Sequence, residues 1–342
     1  MNFTQAIKEA TIKVLKTSKK NLLFGLEITN YGSGYSDINP KQVYETPVSE
    51  LSTSGLVVGL ASRGFRPLIV FGRVEFALLA LDQILTQAGR WQYMFGKKYF
   101  CPAKFRIQIG RQWGNGPQHT ANYHSIFLQS GEIDVFIPST PSEAYRQVIY
   151  MNHTKRPSVM LEHRYLSIIS ENFKKPKIVK KISNYTIYIS KKKQFNILIA
   201  TYADTLINAL EAKKILEKNN IYVSIINFSY FPAGRRFNNN LFKLINRFQN
   251  ILFIDSAPYE FGLLSGIQSL ISARVKNVNF FYLAPPNRPA PSSPKHMKEY
   301  YINKNQIINK VCWILVKKKI KNKKMTFEEL ILWPNININD YQ

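Results

Sequence analysis

The stretch YETPVSELSTSGLVVGLASRGFRPLIVFG (Tyr44–Gly72) decides the fold. It opens as an apolar extended run. From Leu51 the residues are small and apolar, a helix pattern closed by Gly64, the residue type that most readily takes the left-handed turn after a helix. Arg66–Gly72 then reads as a strand. One residue is out of keeping: Glu50 is a carboxylate at the mouth of a helix that looks made for burial.

The alternation continues outward in both directions. Asn21–Ile28 is a short apolar strand, and "KFRIQIG", "IDVFIP" and "PSVMLEH" are further strands. "VEFALLALDQILTQAGRWQYM" (Val74–Met94) predicts one long helix, apolar on more than one side and buried on several faces. "SEAYRQVIYMNH" predicts a helix capped by Ser142 with Glu143 in its first turn. The N-terminal residues put Phe3, Ala6, Ile7, Ala10, Ile12, Val14 and Leu15 on or near one helical stripe. Strands alternating with helices predict an α/β fold with a parallel sheet flanked by helices.

Composition shifts near Asn172. The following residues are lysine-rich without a long apolar period, and the pattern then starts over with "FNILIAT", a helix capped by Asp204, and the strands "IYVSIINF", "NILFIDS" and "VNFFYLAP". The expected organisation is a first domain over 1–173, a basic linker over 174–194, a smaller α/β domain over 195–318 and a polar tail over 319–342. Pro285–Pro294 is an extended loop, followed by a helix over about residues 298–318.

The net charge is +26 among 342 residues. Organised nucleic-acid binding would need a basic face or a motif. The lysines instead gather in the linker and the tail, with no zinc finger or helix-turn-helix, so a solvated surface without a specific nucleic-acid partner is expected. Cys101 and Cys312 are far apart and lack metal-ligand spacing, which fits a reducing compartment. No span suits a membrane helix, and no secretory h-region opens the chain. The two signatures of nucleotide-binding loops are absent. "GRQWGNG" (Gly110–Gly116) is weak as a phosphate cradle and suits an active-site loop.

Three residues in separate loops carry candidate chemistry: Glu50, Phe76 and His119. An acid, a flat ring and an imidazole are the parts needed to hold a heterocycle and move protons beside it. Each alone is more often structural: a helix-start carboxylate, a core aromatic, a satisfied loop histidine.

The order and spacing of "YETPVSE", "GLASRGFRP", "FALLALDQI", "GRWQYMFG", "QHT", "IDVFIPSTPSEAYRQV", "ALEAKKILEKNNIYVSIINF" and "PAPSSP" resemble one family. It is the beta subunit of the thiamine-diphosphate-dependent decarboxylase component of 2-oxo acid dehydrogenase complexes, of the pyruvate and branched-chain types. The resemblance runs from about Phe3 to Trp313. It implies a transketolase-like pyrimidine-binding domain followed by a transketolase C-terminal domain, and it leaves little room for a leader. It implies that Glu50 meets a pyrimidine nitrogen of thiamine diphosphate and, buried among apolar residues, has a raised pKa. Phe76 would pack on that ring, and His119 would serve acyl transfer to a lipoyl group. Arg73 and Gln118 are nearby candidates.

The GDG motif that holds the diphosphate and its magnesium is absent, so the resemblance implies an alpha subunit in an α2β2 assembly and no metal ligands here. It further implies a lipoyl acyltransferase core, a small 2-oxo acid substrate, most simply pyruvate, and a bacterial cytoplasm or an organelle stroma or matrix. The alternatives are the pyrimidine half of a split transketolase-like enzyme and a non-catalytic basic protein on this fold. There are departures. "TNYGSGYSDINPKQV" is short, Ser229 stands where an arginine is expected, and the lysine tail is an addition. Thr154, Lys155 and Arg156 occupy a loop where relatives can bind potassium, which argues against that ion.

Overall fold

The apolar stripe at the N-terminus forms α1 (Phe3–Thr17), capped by Asn2, whose side chain accepts from the Gln5 amide at 2.8 Å while the Gln5 side chain accepts from the Asn2 amide at 3.0 Å. That reciprocal pair satisfies two of the amides a helix start leaves open. The computed structural model describes residues 1–29, 35, 38–96, 98–111, 114–190, 196–234 and 237–315. The polar tail, much of "TNYGSGYSDINPKQV" and the lysines at 191–193 lie outside the described residues.

After α1 come β1 (Asn21–Gly25), β2 (Val43–Glu45), α2 (Glu50–Ser62) and β3 (Arg66–Phe71). The crossover turns at Gly64, where φ is +89°. The segment expected as one long helix is helical but irregular. It runs through α3 (Val74–Ala77), a 3₁₀ turn (Leu78–Ala80), a π-helical stretch (Asp82–Ala88) and α4 (Gly89–Met94). Its core side is a narrow stripe of Ala77, Ala80, Ile84 and Ala88, and Leu79 stays 64% exposed, so burial on several faces is not what the chain alone provides. Gly89 allows the close approach that this needs: a Cβ there would stand 2.7 Å from the Ser130 hydroxyl.

The rest of the first half supplies β4 (Lys104–Ile109), α5 (His124–Leu128), β5 (Asp134–Phe136), α6 (Pro141–His153) and β6 (Ser158–His163). Thr140, not Ser142, caps α6, its hydroxyl accepting from the Glu143 amide at 3.3 Å. Pro141 takes the first helical position, where no N–H is needed, and the Ser142 hydroxyl donates to Glu171 at 2.9 Å. Next come β7 (Tyr185–Tyr188), β8 (Ile197–Thr201), α7 (Asp204–Lys218), β9 (Ser224–Phe228), β10 (Tyr230–Phe231), α8 (Asn239–Ile245), β11 (Asn250–Ile254), α9 (Leu263–Ser272) and β12 (Asn279–Leu283). In place of one terminal helix there are two, α10 (Pro294–Tyr300) and α11 (Lys304–Ile314), the second restarted by an Asn303–Gln306 capping box.

The first sheet has the order β10-β5-β6-β4-β3-β1-β2 and the second β12-β11-β8-β9-β7. Every pairing is parallel except β10 with β5 and β7 with β9. Both exceptions cross the expected boundaries. β7 lies inside the segment read as a linker, and β10 completes the first sheet from the second half of the chain. A continuous buried cluster joins Ile69, Phe105 and Ile107 to Leu198, Phe228 and Phe253, so the two sheets share a core.

Candidate functional site

In a parallel sheet every strand ends on the same edge, and open α/β folds place ligands there. Glu50 follows β2, Phe76 follows β3 and His119 follows β4, so all three leave from carboxyl ends of one sheet; β3 and β4 are neighbours, while β1 separates β2 from them. Phe76 and His119 meet directly, with ring centroids 6.0 Å apart and planes at 66°. The Phe76 ring is 42% exposed. The Nδ1 of His119 is buried with no hydrogen-bond partner among the described residues. Glu50 opens α2 at its first helical position, where a carboxylate is favoured by the helix dipole. It is half-buried, and its neighbours Val48 and Leu51 are 77% and 53% exposed, so the apolar burial expected around it is not supplied by this chain alone.

The His119 loop is braced from several sides. Gly114 and Gly116 have φ of +65° and +78°, and both press on the proline-rich loop. A Cβ at Gly114 would stand 2.6 Å from the Ser292 carbonyl oxygen, and one at Gly116 2.9 Å from the Ser292 hydroxyl. The Glu75 carboxylate accepts from the Ala121 amide at 2.8 Å, tying the loop to α3. Asn122 donates to the Ser256 carbonyl at 2.7 Å and Ser125 to the Phe261 carbonyl at 2.8 Å. Gly114→Ala combines a strained φ with a backbone clash, so it is expected to cost about 2 kcal/mol in a chemical melt. Gly59→Ala, where a Cβ meets nothing within 4 Å, is the stabilising control. Of the two nearby candidates, Gln118 is exposed beside His119 and Arg73 is half-buried before α3.

Sequence reasoning missed a buried polar cluster next to this loop. Arg111 lies between the rings of Tyr165 and Tyr301, 4.3 and 4.5 Å from their centroids, a favourable seat for a guanidinium. Its Nε is 3.6 Å from Asp204 Oδ2, and the Nε2 of His163 is 3.3 Å from Asp204 Oδ1. Asp204 is therefore not the cap of α7. It occupies the first helical position behind Ala203, whose φ of +48° is rare outside glycine. The one legible signal was Gly110, where a Cβ would overlap the His163 ring. His124, fully buried, stands edge-on to Tyr202 at 4.9 Å, and Tyr202 donates to the buried Asp255.

Burial, then the neighbouring His163, holds His124 well below the ordinary histidine range, and burial, then Arg111 and Arg164, does the same to His163. Burial raises Asp204 to about 6, with Arg111 pulling the other way. The signs oppose. Below about pH 6.5 the unfolded chain takes up imidazole protons that the fold refuses, so stability is lost as pH falls, by up to about 1.4 kcal/mol per pH unit for each histidine. Asp204 instead stabilises the fold below about pH 4 and loses that contribution as pH rises through about 6. Denaturant midpoints from pH 7.5 to 5 are expected to fall, and a His163→Gln variant to show a shallower decline.

An apolar surface flanks the edge. Besides Val48, Leu51 and Phe76, Leu56 on α2 is 53% exposed, and Tyr93 and Met94 on α4 are 75% and 65% exposed. Large apolar side chains left exposed on these elements are the kind of surface that interaction faces use.

The family described as "Transketolase, pyrimidine binding domain" matches residues 1–167. The chain is similar to the pyruvate dehydrogenase E1 component subunit beta of Staphylococcus aureus, 30% identical over 239 residues, covering 66% of this chain and 71% of that protein. With the subunit of the same name from Rickettsia bellii it shares 28% over 238 residues, covering 65% and 70%. With the mitochondrial beta-2 subunit from Oryza sativa subsp. japonica it shares 27% over 298 residues, covering 84% and 77%. Among solved structures, a split gene transketolase described as an inactive beta4 tetramer superposes with a TM-score of 0.75 at 16% identity, covering 93% of this chain and 99% of that one, a likeness of fold.

Proposed function

We infer that this chain, which belongs to the transketolase-like family of pyruvate dehydrogenase E1 beta subunits, supplies the pyrimidine-binding half of a thiamine-diphosphate site in a 2-oxo acid dehydrogenase. The observation that carries this reading is the ring contact of Phe76 and His119 at 6.0 Å, at the carboxyl end of the sheet from which Glu50 also leaves, after β2. The residues fit the group: an exposed ring offers a face to a flat heterocycle, a helix-start carboxylate offers an acid, and the unpartnered His119 Nδ1 points to a missing polar neighbour.

When bound, thiamine diphosphate supplies the carbon nucleophile and electron sink for loss of carbon dioxide from a 2-oxo acid. Glu50 holds and exchanges the proton at a pyrimidine nitrogen. Phe76 fixes the plane of the ring. His119 moves a proton at the acyl group on its way to a lipoyl acceptor. The apolar faces of α2 and α4 exclude water once an alpha subunit covers them, and that cover supplies the burial Glu50 lacks in this chain. The alpha subunit holds the diphosphate and magnesium, two of each chain assemble, and a lipoyl acyltransferase core receives the product.

Pyruvate is the expected substrate. Among the described residues no helix is long and apolar enough to cross a membrane, and the compartment is the bacterial cytoplasm or an organelle interior. The test is decarboxylation of a panel of 2-oxo acids by the purified pair of chains, with and without thiamine diphosphate. Cofactor-dependent release of carbon dioxide from pyruvate supports the reading. Turnover of ketose phosphates alone would give the chain to a split transketolase. Salt-sensitive RNA binding without turnover would make it a basic binding protein.

A further inference from the structure

Lys104 opens β4 and is 1% exposed, one of the largest fully buried side chains of the protein. A lysine in that position is costly unless its ammonium is fully served. Its three N–H groups face four acceptors: the Thr154 carbonyl at 3.1 Å, the Thr154 hydroxyl at 2.8 Å, the Arg156 carbonyl at 2.7 Å and the Ser158 hydroxyl at 3.2 Å. These four neutral oxygens come from the turn between α6 and β6, and they are linked among themselves. The Thr154 hydroxyl is 3.1 Å from the Met151 carbonyl and 3.2 Å from the Ser158 hydroxyl, which is 3.3 Å from the Arg156 carbonyl. The turn also caps the carboxyl end of α6, where backbone carbonyls gather partial negative charge. Beside it Arg66 donates to the Asn152 carbonyl.

A ring of carbonyl and hydroxyl oxygens around one positive centre is the environment in which proteins hold a dehydrated potassium ion. An ammonium group is of similar size and carries the same charge. The residues present do not fit a bound ion, because the point on which the oxygens converge is filled. We propose that the Lys104 ammonium is a covalently attached substitute for a monovalent cation, so that the α6–β6 turn is built as a cation site yet needs no free ion.

Thr154 and Arg156, whose side chains supply no acid for potassium, take part through the Thr154 hydroxyl and the Arg156 carbonyl. The charge comes from fifty residues earlier in the chain. Burial pulls the Lys104 group down to about 7, with Asp134 pulling it back up, and the oxygen ring favours the charged form by offering acceptors to its N–H groups.

The test compares melting of the full chain in potassium chloride, ammonium chloride and choline chloride at equal ionic strength and pH 6.5. Wild type is expected to melt within about 1 °C in all three. Lys104→Ala is expected to melt about 5–10 °C lower in choline and to recover at least half of that loss, saturably, in potassium or ammonium. Lys104→Met, which fills the space without charge, is expected to fall similarly and not to recover. Equal melting of Lys104→Ala in all three salts would overturn the proposal. So would a saturable stabilisation of wild type by potassium, which remains decisive should the alanine variant fail to fold.

Discussion

Glu50→Gln, assembled with an alpha subunit and saturated with thiamine diphosphate, is expected to lose turnover by a factor of about 10²–10⁴. The amide keeps the size and most hydrogen-bonding capacity of the acid and cannot exchange its proton with a ring nitrogen. Because Glu50 is half-buried at a helix start without a cap partner, the change should move the melting midpoint little. Binding of the cofactor should weaken far less than turnover, since the packing proposed for Phe76 is untouched. Carbon dioxide release measured beside a melting curve checks both halves of this expectation. Turnover within threefold of wild type would remove the role assigned to Glu50.

The largest stability effect is expected from the ion pair under α1. Arg106 on β4 and Glu162 on β6 face each other in register neighbourhood, with side chains only 8% and 7% exposed. Arg106 Nη2 donates to Glu162 Oε2 at 3.1 Å, its Nε pairs with the other carboxylate oxygen, and Nη1 reaches the Thr11 hydroxyl of α1 at 3.2 Å. A two-point pair of this kind is strong in geometry, yet its net value is limited by the desolvation of both charges. Removing Glu162 leaves the Arg106 guanidinium buried without its carboxylate, held by the Thr11 hydroxyl and Tyr35. Glu162→Ala is expected to lower unfolding free energy by about 3–5 kcal/mol, and Glu162→Gln by less. A joint Arg106→Met, Glu162→Leu replacement should recover much of the loss. Urea unfolding of wild type and the three variants tests this ranking.

Much of the fold was legible because it is written locally. The small-residue helix closed by Gly64 and the apolar strands around it need only neighbours in sequence to be read. The site candidates were legible because parallel strands deliver their loops to one edge whatever the remaining packing. What failed was non-local or competitive. β10 is two residues long, and nothing in Tyr230–Phe231 says that it pairs with β5. Ser142 and Asp204 are good capping residues, but Pro141 moved one helix start and the Arg111–His163 pair claimed the other side chain. Lys104 reads as an ordinary basic residue until the turn that surrounds it is folded.

β10 also bears on how the protein comes into being. The sheet that presents Glu50, Phe76 and His119 cannot seal its far margin until Phe231 has been synthesised, and the Ser292 buttress against Gly114 arrives later still. A truncated product ending near residue 173 would bare the β5 margin, inviting a second molecule to pair there.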